Sequence, residues 1–303
     1  MKEYGFIRVG AIVNKLSLAN PLKNAEEIIK EIKKAVTKGV SIVTTPELSL
    51  TGYTCGDLFL QDQLLIDSEK SLQKVLEETK KLDIISIIGM PIRHDNQLFN
   101  CAVVIEKGKI LGVIPKTYIP NYQEFYEARW FSSSKELKTN EVELLGQLVP
   151  ISTNLLFQDK TRKEITFAID ICEDLWTVTP PSDSHALHGA TIIFNLSSSN
   201  ELIGKQEYRK SLVAMQSAKT ISAYIYSSSG IMESTSDIVF GGASMIYENG
   251  SKLAENKRFE LESNLITADI DVLKLANDRR KNKSFMHMVP TQEYNVIKVE
   301  VVD

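Results

Sequence analysis

Three residues far apart in the chain, Glu47, Lys116 and Cys172, each stand one or two positions past a short run rich in β-branched and aromatic residues. Such runs read as strands. If the runs lie side by side in one sheet and point the same way, a carboxylate, an ammonium and a thiol meet at one sheet edge, where α/β proteins usually place their chemistry. A thiol at its ordinary pKa of about 8.5 is mostly protonated at neutral pH. A carboxylate within reach can take its proton, and a nearby ammonium favours the thiolate and stabilises an oxyanion. The chemistry of such a set is acyl transfer: attack on an amide or nitrile, a thioester, loss of ammonia, then hydrolysis by water. The carboxylate passes the thiol proton to the leaving nitrogen. Taken singly, each residue also has a bland role: Glu47 as a helix N-terminal acid, Lys116 as a surface lysine, Cys172 as a packed apolar thiol.

The elements that must position these groups follow from the hydrophobic pattern. Phe6 to Val13 reads as a strand, and residues 22–38 as a helix with Leu22, Ala25, Ile28, Ile29, Ile32, Ala35 and Val36 at helical spacing, stopped by Gly39. Val40 to Thr45 is a second strand that leads to Glu47, so the chain opens as a βαβ unit with parallel strands. A helix over 67–81 and a strand from Ile84 to Ile88 follow. Asn100 to Ile105 and Lys109 to Ile114 flank Lys107-Gly108 as a hairpin, and its second strand runs into Lys116. Residues 132–163 lack a period and are expected to be surface excursions with one short strand. Ile165 to Ile171 then leads to Cys172, followed by a loop from Thr177 to Ser184. Strands at Thr191 to Asn195, Ala223 to Ser227, Ala243 to Tyr247 and Leu265 to Ile270, a helix from Lys205 to Thr220 and an added strand in Asn295 to Val302 complete the pattern. This is an α/β body of one domain.

Composition narrows the function. The 303 residues are 43% hydrophobic and 24% charged, as in an ordinary globular protein. A net charge of −4 without a long basic run argues against nucleic acid, and Lys33-Lys34 and Arg279-Arg280-Lys281 read as solvated surface. Cys55, Cys101 and Cys172 form no CxxC pair and leave one unpaired in any disulfide scheme, which points to a reducing, cytoplasmic setting without structural zinc. His185 and His188 are three apart in a Pro/Ser-rich stretch with no third ligand, and are expected to be loop residues rather than metal ligands. Lys2, Glu3 and Arg8 interrupt any signal-peptide pattern, and no apolar run is long enough to span a membrane.

Pro46-Glu47-Leu48-Ser49-Leu50-Thr51-Gly52-Tyr53, Pro115-Lys116-Thr117-Tyr118 and Ile171-Cys172-Glu173-Asp174-Leu175-Trp176 resemble the three catalytic blocks of the nitrilase superfamily, in the family's order. Longer strings resemble one branch, the glutaminase domains of glutamine-dependent NAD synthetases. These are Lys116 to Glu127, Gly56-Asp57-Leu58-Phe59, and Asn195-Leu196-Ser197-Ser198-Ser199. The resemblance implies a four-layer α-β-β-α sandwich of nitrilase (carbon-nitrogen hydrolase) type that self-associates into a homo-oligomer. It implies Cys172 as nucleophile, Glu47 as general base, Lys116 as oxyanion stabiliser and Glu124 as a supporting second glutamate. Tyr53, Tyr122, Phe125, Glu127 and Ser199 match positions that hold or gate glutamine, with Glu127 suited to the substrate ammonium. Lys205 stands where an arginine is expected, and lysine lacks arginine's bidentate fork.

The synthetase half of such enzymes carries a Ser-Gly-Gly pyrophosphate loop. Ser229-Gly230, Gly204-Lys205-Gln206 and Gly241-Gly242 do not supply one. The expectation is therefore no cofactor in this chain, with ATP and nicotinic acid adenine dinucleotide belonging to a synthetase domain or subunit that receives the ammonia. Residues 1–280 would form the glutaminase domain, and 281–303 a C-terminal extension or the start of a linker. Two other readings stay open: a stand-alone amidase or carbamoylase for another small amide, and a catalytically idle assembly module.

Overall fold

The computed structural model describes residues 4–289 and 292–302. Lys2, Glu3 and Pro290, on which parts of the terminal readings rest, lie outside them. In chain order the elements are β1 (Phe6–Val13), α1 (Pro21–Thr37), β2 (Ile42–Thr44), α2 (Asp62–Thr79), β3 (Ile85–His94), β4 (Gln97–Glu106), β5 (Lys109–Pro115), β6 (Glu141–Leu144), β7 (Gln147–Pro150), β8 (Leu155–Asp159) and β9 (Thr166–Ile171). Then come α3 (Pro181–Leu187), β10 (Ile192–Ser197), α4 (Lys205–Thr220), β11 (Ala223–Ser228), β12 (Ser244–Glu248), β13 (Ser251–Glu255), β14 (Asn264–Asp271), α5 (Val272–Lys281), α6 (Lys283–Met286) and β15 (Asn295–Val299).

Among the described residues the strands form two large sheets, ordered β14-β1-β2-β3-β4-β5 and β13-β12-β11-β10-β9-β8-β15, beside the small β6-β7 ribbon. The period-2 pattern decides how they stack. In β1, Ile7, Val9 and Ala11 face the second sheet, and in β9, Phe167, Ile169 and Ile171 answer them in one inter-sheet core. Ile12 turns to the other side and joins Ala25, Ile28, Ile29 and Ile32 of α1 and Leu72, Val75 and Leu76 of α2. On the far side, Ala168, Ile193, Tyr224 and Tyr226 pack with Val213 of α4. The order of layers is helix, sheet, sheet, helix, as expected.

Local chemistry sets the boundaries. The Asn20 side chain accepts from Lys23 N at 3.2 Å, Pro21 occupies the first turn of α1, and Gly39 in the left-handed region stops it. The β4–β5 turn uses Lys107 and Gly108, both at positive φ, as its sequence suggests. The β3–β4 turn uses Asp95 and Asn96 at φ 50° and 61° without a glycine, and so was not legible as a turn.

Several expectations are corrected. The 132–163 stretch holds three strands, β6, β7 and β8, rather than one. The three strands that lead to the candidate residues lie in two sheets, not one. His185 belongs to α3, with Nδ1 2.7 Å from the Tyr294 hydroxyl and Nε2 3.3 Å from Asp170. Arg279 is buried rather than solvated, and donates to the carbonyls of Ile221, Ala190 and Thr220 at 3.0, 2.6 and 2.9 Å. The added strand expected in Asn295 to Val302 is β15, which pairs in parallel with β8, and Val299 and Val301 join the inter-sheet core.

Candidate active site

β2 and β3 are parallel, and β3, β4 and β5 alternate in direction, so β2, β3 and β5 end on the same edge of the first sheet. β9, β10 and β11 are mutually parallel in the second sheet. Glu47, Lys116 and Cys172 follow β2, β5 and β9. The two sheet edges are tied directly: Glu47 N donates to the Ser197 carbonyl at the end of β10.

Both the acid and the thiol sit at tight turns. Leu48, next to Glu47, has φ 51°, and Cys172 has φ 44°, a left-handed conformation that L-residues hold only when their surroundings enforce it. The Glu47 turn lies flat on β3 because residue 89 is glycine. A Cβ there would stand 2.4 Å from the Pro46 carbonyl oxygen and 2.6 Å from Leu48 N. Leu50 N donates to the Gly89 carbonyl at 3.1 Å, fixing the turn.

The Lys116 ammonium is fully buried and donates to Glu47 Oε1 at 2.7 Å and to both oxygens of Glu127 at 2.7 and 2.8 Å. Burial opposes its charge, but Glu127 and Glu47 outweigh that and hold its pKa well above the usual lysine range. Asn100 Nδ2 also donates to Glu47 Oε1, at 2.6 Å, while Glu47 Oε2 is buried without a partner. Tyr53 OH donates to Glu127 Oε1 at 2.7 Å. Burial and the Lys116 and Glu47 charges act on Glu127, with a net rise to about 7.

Cys172 feels the same three charges. Burial and Glu47 raise its thiol well above the ordinary value, while Lys116 and the Ser198 N–H pull it down. The thiol is thus the resting form, and its proton has an acceptor close by. Cys55 and Cys101 lack this setting: burial pushes Cys55 up to about 12, and burial alone raises Cys101.

The other candidate residues gather around this centre, with one exchange of position. Among the described residues, the carboxylates on Lys116 are Glu47 and Glu127, while Glu124 instead accepts from Asn200 Nδ2. Glu127, expected to face a substrate ammonium, is 1% exposed with both oxygens engaged. The reason is local: Glu127 N bonds to the Pro120 carbonyl and opens a single 3₁₀ turn, which turns its side chain inward. A cavity of about 210 Å³ opens beside this pair, bordered by Tyr53, Glu124, Phe125, Tyr126, Glu127 and Asp237. Tyr122 OH donates to Glu173 at 2.9 Å. Lys205 donates to Asn200 Oδ1 and sits 5.1 Å from the Trp176 ring and 5.7 Å from Phe125, with burial lowering its pKa. Among the described residues no carboxylate pairs with it. Ser199 is buried and its hydroxyl accepts from Arg209 at 3.2 Å.

Sequence reasoning missed Arg209, which lies one helical turn beyond Lys205 and is fully buried against Ser199, Asn200 and Glu201. It also missed Glu233. That carboxylate accepts from Tyr53 N at 2.8 Å, Thr54 N at 3.0 Å and Thr54 Oγ1 at 2.6 Å, and so holds the Tyr53 loop. Arg209 had a signal, a charge in phase with Val213 on the buried face of α4. Glu233 had none.

Comparison with known proteins agrees with this geometry. The carbon-nitrogen hydrolase family profile matches residues 9–280. A glutamine-dependent NAD(+) synthetase of Mycobacterium tuberculosis is 36% identical over 283 residues, covering 93% of this chain and 42% of that protein. The crystal structure of a glutamine-dependent NAD(+) synthetase from Cytophaga hutchinsonii superposes with a TM-score of 0.78 at 27% identity, over 88% of this chain and 43% of that one. A carbon-nitrogen hydrolase from Helicobacter pylori, at 18% identity and TM-score 0.71, covers 94% of this chain and 96% of that one and shares the fold. The chain thus spans about two fifths of the length of the synthetases it matches. With two sheets between helices, the segments of Glu47, Lys116 and Cys172 at their edges and the family profile over residues 9–280, the chain belongs to the carbon-nitrogen hydrolase family.

Proposed function

We propose that this chain hydrolyses the side-chain amide of glutamine to glutamate and ammonia through a thioester on Cys172, and that the ammonia supplies NAD synthesis in a synthetase domain or subunit. The observation that carries the chemistry is the state of Glu47. Lys116 and Asn100 occupy its Oε1, leaving Oε2 buried, unpartnered and free to accept the thiol proton. Cys172 Sγ then attacks the amide carbon, and Lys116 stabilises the oxyanion. Glu47 returns the proton to the nitrogen as the C–N bond breaks, and ammonia leaves. Water adds to the thioester with Glu47 taking its proton. The C–S bond breaks, glutamate departs, and the proton returns to the sulfur.

The substrate class is supported by the charges at the cavity mouth. A free amino acid brings an ammonium and a carboxylate. With Glu127 engaged on Lys116, the carboxylates left on the cavity wall for the ammonium are Glu124 and Asp237, and near Phe125 stands Lys205, a cation that no carboxylate pairs with among the described residues, for the other end. In this reading Glu127, not Glu124, is the second glutamate of the catalytic set. Relatives named as glutamine-dependent NAD synthetases point the same way.

The test is ammonia release from glutamine with trapping on the protein. Glutamine is expected to release ammonia, and intact mass measurement is expected to find an acyl adduct on Cys172. Both vanish in Cys172→Ala. Ammonia release that survives this substitution removes the mechanism, and a preference for amides lacking the α-ammonium removes glutamine.

A further inference from the structure

Asp174 lies two residues past the nucleophile and is almost fully buried. Its Oδ2 accepts from Ile171 N at 3.0 Å, the last residue of β9 before Cys172. Its Oδ1 accepts from Tyr118 N at 2.9 Å and Thr117 N at 3.2 Å, the two residues after Lys116. One rigid side chain therefore joins the second sheet to the first, and joins the two segments that carry the sulfur and the ammonium. No other side chain among the described residues bonds to the backbone on both sides of this junction. The Cys172 turn needs such support, because its φ of 44° is unfavourable for a residue with a Cβ. Burial and Asp170 push the Asp174 carboxyl up to about 8, and the N–H donors of Tyr118 and Ile171 pull the other way, so the contacts favour the carboxylate that makes them.

We propose that Asp174 is a positioning residue that sets the distance between the Cys172 sulfur and the Lys116 ammonium. It touches neither substrate nor reacting atoms, and it acts through the two backbone segments it clamps. The proposal rests on Cys172 as nucleophile but not on glutamine as substrate.

Asp174→Asn in the full chain keeps the shape and at least one acceptor, but turns an N–H toward one of the clamped donors. Two readouts separate position from mere structure. The first is the rate of Cys172 alkylation by iodoacetamide against pH, which needs no substrate. Its midpoint is expected to move upward, because a sulfur farther from Lys116 is a weaker acid. The second is glutamine hydrolysis, where kcat is expected to fall about 100-fold, the scale of a misplacement near 1 Å, while KM changes little. If glutamine is not turned over even by the parent, a shifted alkylation profile still supports the positioning role and only the substrate assignment fails. A folded variant with an unchanged alkylation profile overturns the proposal. Should the Asn variant lose its cooperative melt, Asp174→Glu, which keeps the carboxyl group and moves it by one methylene, carries the same readouts. Loss of the melt in both would make Asp174 a folding determinant alone and overturn the proposal as well.

Discussion

Lys116 between two carboxylates is the residue-scale fact from which the others follow. On the mechanism proposed above, the buried Cys172 thiol gives up its proton when a carbonyl arrives to take up the new charge, and the carboxyl groups around Lys116 set how readily it does so. Glu127 tunes this balance. Its carboxyl stands at about 7, above the ordinary 4.5. Below that pH it takes a proton, and the charge that helps hold Lys116 in place is lost. The expected kcat/KM for glutamine therefore falls as pH drops through about 7, and Glu127→Gln is expected to lower kcat strongly and flatten that limb. Glu124→Gln is expected to raise KM instead, and steady-state kinetics across pH 5–9 checks both. An unchanged acid limb in Glu127→Gln would release Glu127 from this role. The linked stability has the opposite sign. Since the folded state holds the Glu127 proton more tightly than the unfolded chain, its contribution is present below 4.5 and lost as pH rises toward 7. Melting temperatures of Glu127→Gln relative to the parent should thus improve from pH 5 to pH 8. Glu47, Lys116 and Cys172 could be singled out in the sequence because each ends a β-rich run and stands in a block that resembles one of the three nitrilase blocks. The choice between Glu124 and Glu127 was not, because 117–131 has no period and one 3₁₀ turn decides which side chain points inward.

At the scale of elements, strands with clean alternation and helices with caps were legible, and an element seated by a buried charged side chain was not. α5 is the clearest case. Its Arg279-Arg280-Lys281 run looks like surface, yet Val272, Leu275 and Arg279 share one buried face. The 272, 275, 279 spacing was the available signal, masked by the basic run. Arg279 reaches the carbonyls of Thr220 and Ile221 at the end of α4, and of Ala190 just past α3. It also packs 5.0 Å from the Phe285 ring. Helix C-termini carry unsatisfied carbonyls and a partial negative charge, so this cation fits there without a carboxylate. Burial still lowers its pKa to about 10. Arg279→Met, which keeps the volume and removes the donors, is expected to cost about 3 kcal/mol by leaving buried carbonyls unpaired. Chemical denaturation reads that cost, and a change under about 0.5 kcal/mol would show that water replaces the guanidinium. The lowered stability should come with little change in KM, since α5 lies outside the candidate site.

For the whole molecule, the decisive question is where the hydrolase body stops. The family profile stops at residue 280, and the sequence pattern breaks near the same point. The packing continues. β15 adds to β8 in parallel register from Asn295↔Leu155 to Val299↔Asp159, and Glu300 N donates to Glu106 of the first sheet at 3.0 Å. His188 Nε2 lies 2.7 Å from the Gln292 carbonyl, and Tyr294 stacks on the His188 ring at 3.9 Å. These contacts bind both sheets and α3 to the last segment. The alternation over Asn295 to Val302 was legible as an added strand, but its partner was not, because β15 is an edge strand in which Asn295, Val296 and Lys298 are exposed and only Val299 is fully buried. Two variants separate the alternatives. Val299→Asp buries an unpaired carboxylate in the inter-sheet core and is expected to cost about 3 kcal/mol or more. Truncation after Asn282 is expected to lower the melting temperature further, by baring the β8 edge and the core beneath Val299 and Val301. If 281–303 were dispensable, both proteins would melt with the parent and keep its Cys172 alkylation rate. If it is part of the body, both melt earlier, and they do so while Glu47, Lys116 and Cys172 are all still present in the chain.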